Sequence, residues 1–374
     1  MNDSLRIIVA GGGTGGHVYP GIAIVEQLRA RVPTDALFVG ARGGAEEGIL
    51  SRAGFAYELL PGYGLRGASL VRRAMFPAVL AAGVARGLGI IASFRPDVVL
   101  GTGGYASAAV VIAAILRRCP RVLQEQNSIA GLVNRRLARF ADLVLLGYEA
   151  SLASLPSGVA TRVVGNPVRE LPRTTRTAAA EFFSLPATRR TILVVGGSRG
   201  AHSLNMAAAD AAARMAAADD LQFVMLVGRN DRAAVELKTA AVADRVRVLD
   251  YLDDMQHAYA IADVAVARSG ASSVFELAAF GVPAIFVPYP HAADAHQAGN
   301  AIPVVRAGGA RMIVDAELSG ERLMVELRAL LGAPGSLAAM RAAMEAWATP
   351  DAARDAADAI LELCKKKESV RLAA

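Results

Sequence analysis

The feature that most constrains this chain is a strand-then-glycine opening that occurs twice. Residues 6–10, the β-branched run RIIVA, stop at Gly11-Gly12-Gly13-Thr14-Gly15-Gly16-His17 and lead into residues 22–28 in helical rhythm. Near mid-chain, residues 191–195 stop at Gly196-Gly197-Ser198-Arg199-Gly200 and give way to an alanine-rich stretch through Met215. Buried strand, tight glycine loop and helix in that order begin a βαβ unit, so the repetition predicts two doubly wound α/β halves. A length of 374 residues fits two cores better than one.

Other apolar runs extend the plan. Strands are expected at 36–39, 97–100, 121–123, 143–146 and 162–164, then at 223–227, 246–249, 264–267, 284–287 and 311–314, with helix-like segments between most of them. Short buried strands alternating with helices make parallel sheets covered on both faces. The polar, proline-containing stretch 165–186 reads as a linker. Domains are expected at 1–166 and 167–345, and the tail 346–374, with a helix over 351–365, is expected to strap back onto the first. Ligands of open parallel sheets bind beyond the carboxyl ends of the strands, so two such sheets facing each other would bring both glycine loops to one cleft.

Composition narrows the partners. An apolar content of 54% excludes a disordered chain. Cys119 and Cys364 are far apart and form no CxxC pair, which argues against a disulfide framework or thiolate metal site and for a reducing compartment. The first residues carry Asp3 and run into a strand without a cleavage pattern, so no signal peptide is expected. The longest uncharged stretches, 74–85 and 101–116, fall short of the ~20 residues that span a bilayer, and no transmembrane helix is expected. A net charge of +6 suits an anionic partner, but scattered arginines without a stacking aromatic array speak against nucleic acid.

The first glycine loop lets backbone approach a phosphate at a helix N-terminus. Gly11, Gly13 and Gly16 also fit the GxGxxG spacing of a dinucleotide fold, yet the next strand ends at Gly40-Ala41-Arg42 and not at a ribose-binding acid. His17, where this loop enters its helix, is a candidate proton acceptor; a capping or substrate-binding histidine is the alternative. A second cluster, Gly101-Thr102-Gly103-Gly104-Tyr105, offers either another anion cradle or tight helix–sheet packing. Gln124-Glu125-Gln126-Asn127 supplies amides and a carboxylate suited to sugar hydroxyls, or simply a polar loop.

In the second half, Arg268-Ser269-Gly270-Ala271-Ser272-Ser273-Val274-Phe275-Glu276 leaves a strand and enters a helix. Backbone donors at its start could hold phosphates, and Glu276, one turn further on, could accept from two ribose hydroxyls. The capping-box spacing of Ser273 and Glu276 is the competing explanation. Gln297 and Asn300 add amides for a sugar. No D-x-D triplet occurs, and Asp253-Asp254 read as helix caps, so neither metal nor cofactor is expected. The segment 65–94 carries Arg66, Arg72, Arg73 and Arg86 among Leu70, Met75, Phe76, Leu80 and Ile90; it reads as a basic apolar membrane surface or as core helices, with Pro77 breaking any single long helix.

The runs Gly12-Gly13-Thr14-Gly15-Gly16-His17, Glu125-Gln126-Asn127, Gly165-Asn166-Pro167-Val168-Arg169, Gly196-Gly197-Ser198, Asp253-Asp254-Met255 and Arg268-Ser269-Gly270-Ala271 resemble, in order, those of the peptidoglycan N-acetylglucosaminyltransferases of glycosyltransferase family 28. The resemblance implies a GT-B fold. It also implies inverting transfer from UDP-N-acetylglucosamine to the C4 hydroxyl of the muramoyl sugar of lipid I, in cell-wall synthesis serving cell shape and division. Thr14, Gly15, Gly16, Asn127, Arg169, Ser198, Leu252, the run Ala271, Ser272, Ser273, Val274, Phe275 and Glu276, and Gln297 would contact the nucleotide sugar, with Leu252 offering backbone to uracil and Glu276 holding the ribose. Gly103, Gly104, Tyr105 and Asn300 are further candidate contacts, and His17 or Glu125 would be the base. The implied place is the cytoplasmic face of a bacterial inner membrane, on anionic lipid and beside other cell-wall synthesis proteins. Gln124, Arg199 and His296 depart from the family's usual residues.

Overall fold

The structure, a computed structural model, describes residues 4–13, 15–44, 46–62, 69–196, 201–292 and 295–373. The chain forms two compact units, residues 1–169 with 349–374, and residues 170–348. The first unit alternates β1 (Leu5–Gly11), α1 (Gly15–Arg29), β2 (Thr34–Ala41), α2 (Glu46–Arg52), β3 (Ala56–Leu60), α3 (Leu70–Phe94), β4 (Val98–Gly103), α4 (Gly104–Leu116), β5 (Arg121–Glu125), α5 (Leu132–Leu137), β6 (Leu143–Leu146) and β7 (Thr161–Val163). The second runs α6 (Arg176–Phe183), β8 (Arg190–Val195), α7 (His202–Ala218), β9 (Leu221–Leu226), α8 (Arg232–Lys238), β10 (Val246–Leu249), α9 (Met255–Ile261) and β11 (Val264–Ala267). It continues through α10 (Ala271–Ala279), β12 (Ala284–Phe286), α11 (His296–Arg306), β13 (Ala310–Met312), α12 (Gly320–Gly332) and α13 (Ser336–Trp347). The last helix, α14 (Ala352–Ala373), belongs to the first unit.

Both sheets are parallel and doubly wound, in the orders β3-β2-β1-β4-β5-β6-β7 and β10-β9-β8-β11-β12-β13. The continuous apolar runs are explained by burial on both faces: Ile7 and Val9 point into one core layer, Ile8 and Ala10 into the other. β3 was not legible because Tyr57 and Glu58 interrupt its apolar run, which an edge strand tolerates. α14 lays Ala356, Ala357 and Ile360, all with no exposed surface, into the layer that holds Val18, Ile22 and Val25 of α1. Arg31–Asp358 (2.7 Å) and Arg162–Glu362 (2.7 Å) ion pairs flank that contact.

Pro77 does not break α3, contrary to expectation. It is exposed near the helix start, so the carbonyl it leaves without an N–H donor can be solvated. The stretch 74–94 is by length and composition able to cross a membrane, once Arg86 is accepted within it, and only 22% of its apolar window is buried. Its inner face meets α4 closely: a β-carbon at Gly83 would collide with Tyr105, and one at Gly87 would lie 3.1 Å from the side chain of Ala113. Arg66 lies outside the described residues.

Candidate active site

In each sheet the strand order turns back once, between β1 and β4 and between β8 and β11. Loops leaving such a switch point part in opposite directions and open a crevice beyond the carboxyl ends of the strands. Most of the sequence-predicted residues that the structure describes lie near the carboxyl ends of the strands at or beside these two places.

At the switch point of the first unit, the loop after β1 packs on the β4–α4 turn. Gly103 and Gly104 have φ of 108° and 82°, which a side chain disfavours. Space forbids one too: a β-carbon on Gly103 would sit 2.9 Å from the His17 ring, and one on Gly104 2.7 Å from the Gly12 carbonyl oxygen. Close packing of backbone and imidazole thus accounts for this pair.

His17 is half-buried, with Nδ1 3.2 Å from Gln126 Oε1. The Gln126 amide is oriented from its other end. Its Nε2 donates to the Thr102 carbonyl at 2.8 Å and also meets the backbone and side-chain oxygens of Gln124. Oε1 therefore faces His17 as an acceptor, so that in the neutral ring Nδ1 carries the proton and Nε2 the lone pair. That is the tautomer a proton acceptor needs.

Glu125, the other candidate base, is committed elsewhere. One carboxylate oxygen accepts from the backbone N–H and side-chain amide of Asn127 (2.9 and 3.1 Å), the other from Gly131 N–H and Asn134 Nδ2 (both 2.9 Å), and the residue is 1% exposed. With four donors on two oxygens it fastens the loop after β5, and the same bonds fix Asn127 at the sheet edge. Tyr105 is turned into the core: its hydroxyl is 2.9 Å from both the Pro61 and Val79 carbonyls, and burial raises its pKa above the ordinary value. The Arg169 guanidinium stacks 3.9 Å from the centre of the Tyr19 ring, next to the start of α1 where Gly15 and Gly16 stand. Thr14, Ser198 and Arg199 lie outside the described residues.

At the switch point of the second unit, α10 starts at Ala271 behind Gly270 with no side-chain cap among the described residues, and the first N–H groups of such a helix have no intrahelical acceptor. Ser273 is the third helical residue, so it forms no capping box with Glu276. Val274 and Phe275 face the core, Phe275 against Trp347 at 4.9 Å, which leaves only their backbone for a ligand. Glu276 is half-buried and accepts a 2.6 Å hydrogen bond from the hydroxyl of Tyr259 on α9. Gln297 Oε1 accepts from Tyr289 N–H at 2.9 Å. Asn300 was expected at a sugar hydroxyl; it is fully buried and donates to the Ser269 carbonyl at 3.1 Å, pinning the turn before α10. Leu252, after β10, is partly buried at the same sheet edge. Asp254 stands at the N-cap of α9, but its carboxylate accepts from the Gln256 side chain (3.1 Å) and makes no cap bond.

Three participants have roles that the sequence reading did not assign. Arg268 runs buried behind the α10 turn, bonding the Val287 carbonyl (3.0 Å), Ser203 Oγ (2.8 Å) and Asp315. Tyr259 sits 17 positions before Glu276, with no local signal linking them. Glu46 follows Gly43-Gly44 as the first of two acids, a pattern that reads as helix-dipole complement.

Comparison with known proteins adds a family. Residues 7–146 match the glycosyltransferase family 28 N-terminal domain and residues 191–359 the glycosyltransferase family 28 C-terminal domain. A relative from Anaeromyxobacter sp. (strain Fw109-5) is 39% identical over 97% of this chain and 94% of its own length. One from Geobacter sulfurreducens is 38% identical over 97% and 100%. Both are named UDP-N-acetylglucosamine--N-acetylmuramyl-(pentapeptide) pyrophosphoryl-undecaprenol N-acetylglucosamine transferase. The crystal structure of Acinetobacter baumannii MurG is similar with a TM-score of 0.73 at 26% identity, covering 96% of this chain and 99% of that one.

Proposed function

The chain belongs to glycosyltransferase family 28, and on that premise we propose that it transfers N-acetylglucosamine from UDP-N-acetylglucosamine to the muramoyl C4 hydroxyl of a pyrophosphoryl-undecaprenol acceptor, with inversion. The observation that carries this reading is the pairing, in the second unit, of an uncapped helix N-terminus with a carboxylate one turn further in, held by Tyr259. The open N–H groups of α10 suit a diphosphate and stabilise the charge of the departing UDP, while Glu276 suits the vicinal hydroxyls of a ribose. Leu252 offers backbone for the base and Gln297 an amide for the sugar.

In the first unit, His17 Nε2 takes the proton of the attacking hydroxyl, and the Gln126 bond stabilises the imidazolium that forms. Glu125 and Asn127 shape the neighbouring loop, and Arg169 stacked on Tyr19 adds positive charge beside α1. Relatives of 38–39% identity named for this reaction support the assignment along nearly the full chain.

The undecaprenyl tail of such an acceptor lies in a membrane, and the first unit has a surface suited to it. Val71 and Met75 near the start of α3 and Leu132 at the start of α5 are exposed apolar residues on the carboxyl-end side of the first sheet, and Arg86 and Arg136 are exposed further along the same two helices. This face rests on the anionic cytoplasmic leaflet, where other cell-wall enzymes sharing the lipid would meet it.

The test is release of UDP by purified protein from UDP-N-acetylglucosamine, with and without a lipid I analogue, in EDTA. Acceptor-dependent release is expected; no release with a competent acceptor sinks the proposal. Undiminished turnover by His17→Ala would remove His17 as the base.

A further inference from the structure

A second fully buried carboxylate lies under the first glycine loop. Glu46, the first residue of α2, has no exposed surface. Because β2 neighbours β1 in the sheet, the turn after β2 runs beside the loop after β1, and Glu46 ties the two together. Its Oε2 accepts from Gly13 N–H at 2.9 Å and its Oε1 from Ala41 N–H at 2.8 Å. Glycines wrap the carboxyl group on both loops: a β-carbon at Gly12, Gly40 or Gly44 would collide with it. A carboxylate enclosed in this way is tolerable only while its hydrogen bonds persist, so bonds and packing together fix the path of the loop.

We propose that Glu46 is a positioning residue for this site: by holding Gly13 it sets the loop from below, and with it the start of α1 that carries His17. The inference rests on the reading of His17 as proton acceptor. It also revises the picture of the loop as a row of free phosphate donors, since the Gly13 N–H is already engaged.

Glu46→Gln tests this with almost no change of shape. A carboxamide has one acceptor oxygen, so its NH2 must face either Gly13 N–H or Ala41 N–H, and one of those bonds is lost. Gly44→Ala is the second variant; its backbone is not in the left-handed region, and the new methyl displaces the carboxylate without removing it. Both variants are expected to keep the far-UV circular dichroism of the parent. Both should bind UDP, through the second unit, within about twofold of the parent, and lose about tenfold or more in kcat, as expected for a broken buried hydrogen bond. The imidazole NMR signal of His17, identified among the five histidines by its absence in His17→Gln, should move in both. That signal requires no sugar substrate, so it tests the positioning even if the transferase reading fails. Turnover that is unchanged, or turnover lost with the His17 signal in place, overturns the proposal. Should Glu46→Gln fail to fold, Gly44→Ala decides.

Discussion

Replacing Tyr259 by phenylalanine removes one oxygen and keeps the ring, which packs at 4.8 Å from the Phe280 ring and is 4% exposed. The lost hydroxyl donates a 2.6 Å bond to Glu276, a length typical of O–H to carboxylate. Hydrogen bonds to charged groups contribute about 1.5–3 kcal/mol. Glu276 is only half-buried, so water recovers part of that, and the cost to UDP binding should be about 1–2 kcal/mol, or roughly 5- to 30-fold in Kd. The penalty should be specific to the ribose, because Tyr259 acts by aiming the carboxylate. Calorimetric titration of parent and variant with UDP and 2′-deoxy-UDP gives a four-way cycle. The expectation is a strong loss for UDP and a much smaller one for 2′-deoxy-UDP. Equal losses for the two ligands would refute the argument that Tyr259 works through Glu276 on the ribose hydroxyls.

Further expectations concern the first unit. Ile360→Ala opens a cavity where α14 meets α1 and should lower stability in urea by about 2–5 kcal/mol, with UDP affinity unchanged; a loss below about 1 kcal/mol would show that α14 is not part of that core. The Cys364 thiol is pushed up to about 12, first by burial and then by the charge of Asp97. Because its folded pKa exceeds the unfolded one, the neutral thiol contributes fully below about pH 9 and its contribution is lost as pH rises toward the folded value. Parent protein should therefore lose Tm more steeply above about pH 9 than Cys364→Ala, and the native thiol should alkylate slowly at pH 8; parallel Tm curves would refute this. Replacing Val71, Met75 and Leu132 together by glutamate should abolish sedimentation with anionic vesicles and leave UDP binding intact, whereas unchanged sedimentation removes that face as the membrane surface.

Sequence by itself determined the duplicated α/β plan and nearly every strand, because each follows from a local pattern: an apolar run, a glycine turn, a helical rhythm. The motif order also carried the family. Which polar residue serves a ligand and which holds the frame was decided only in three dimensions. Glu125, Asn300 and Tyr105 have the chemistry of ligand contacts, and the structure also bonds them to Gly131, Ser269 and Pro61, partners that local spacing does not reveal. Glu46 and Tyr259 acquire meaning only because β2 lies beside β1 and Tyr259 of α9 reaches Glu276 of α10. Hydrogen-bond satisfaction in a buried site is a property of all groups that meet there, and the strand order alone brings them together.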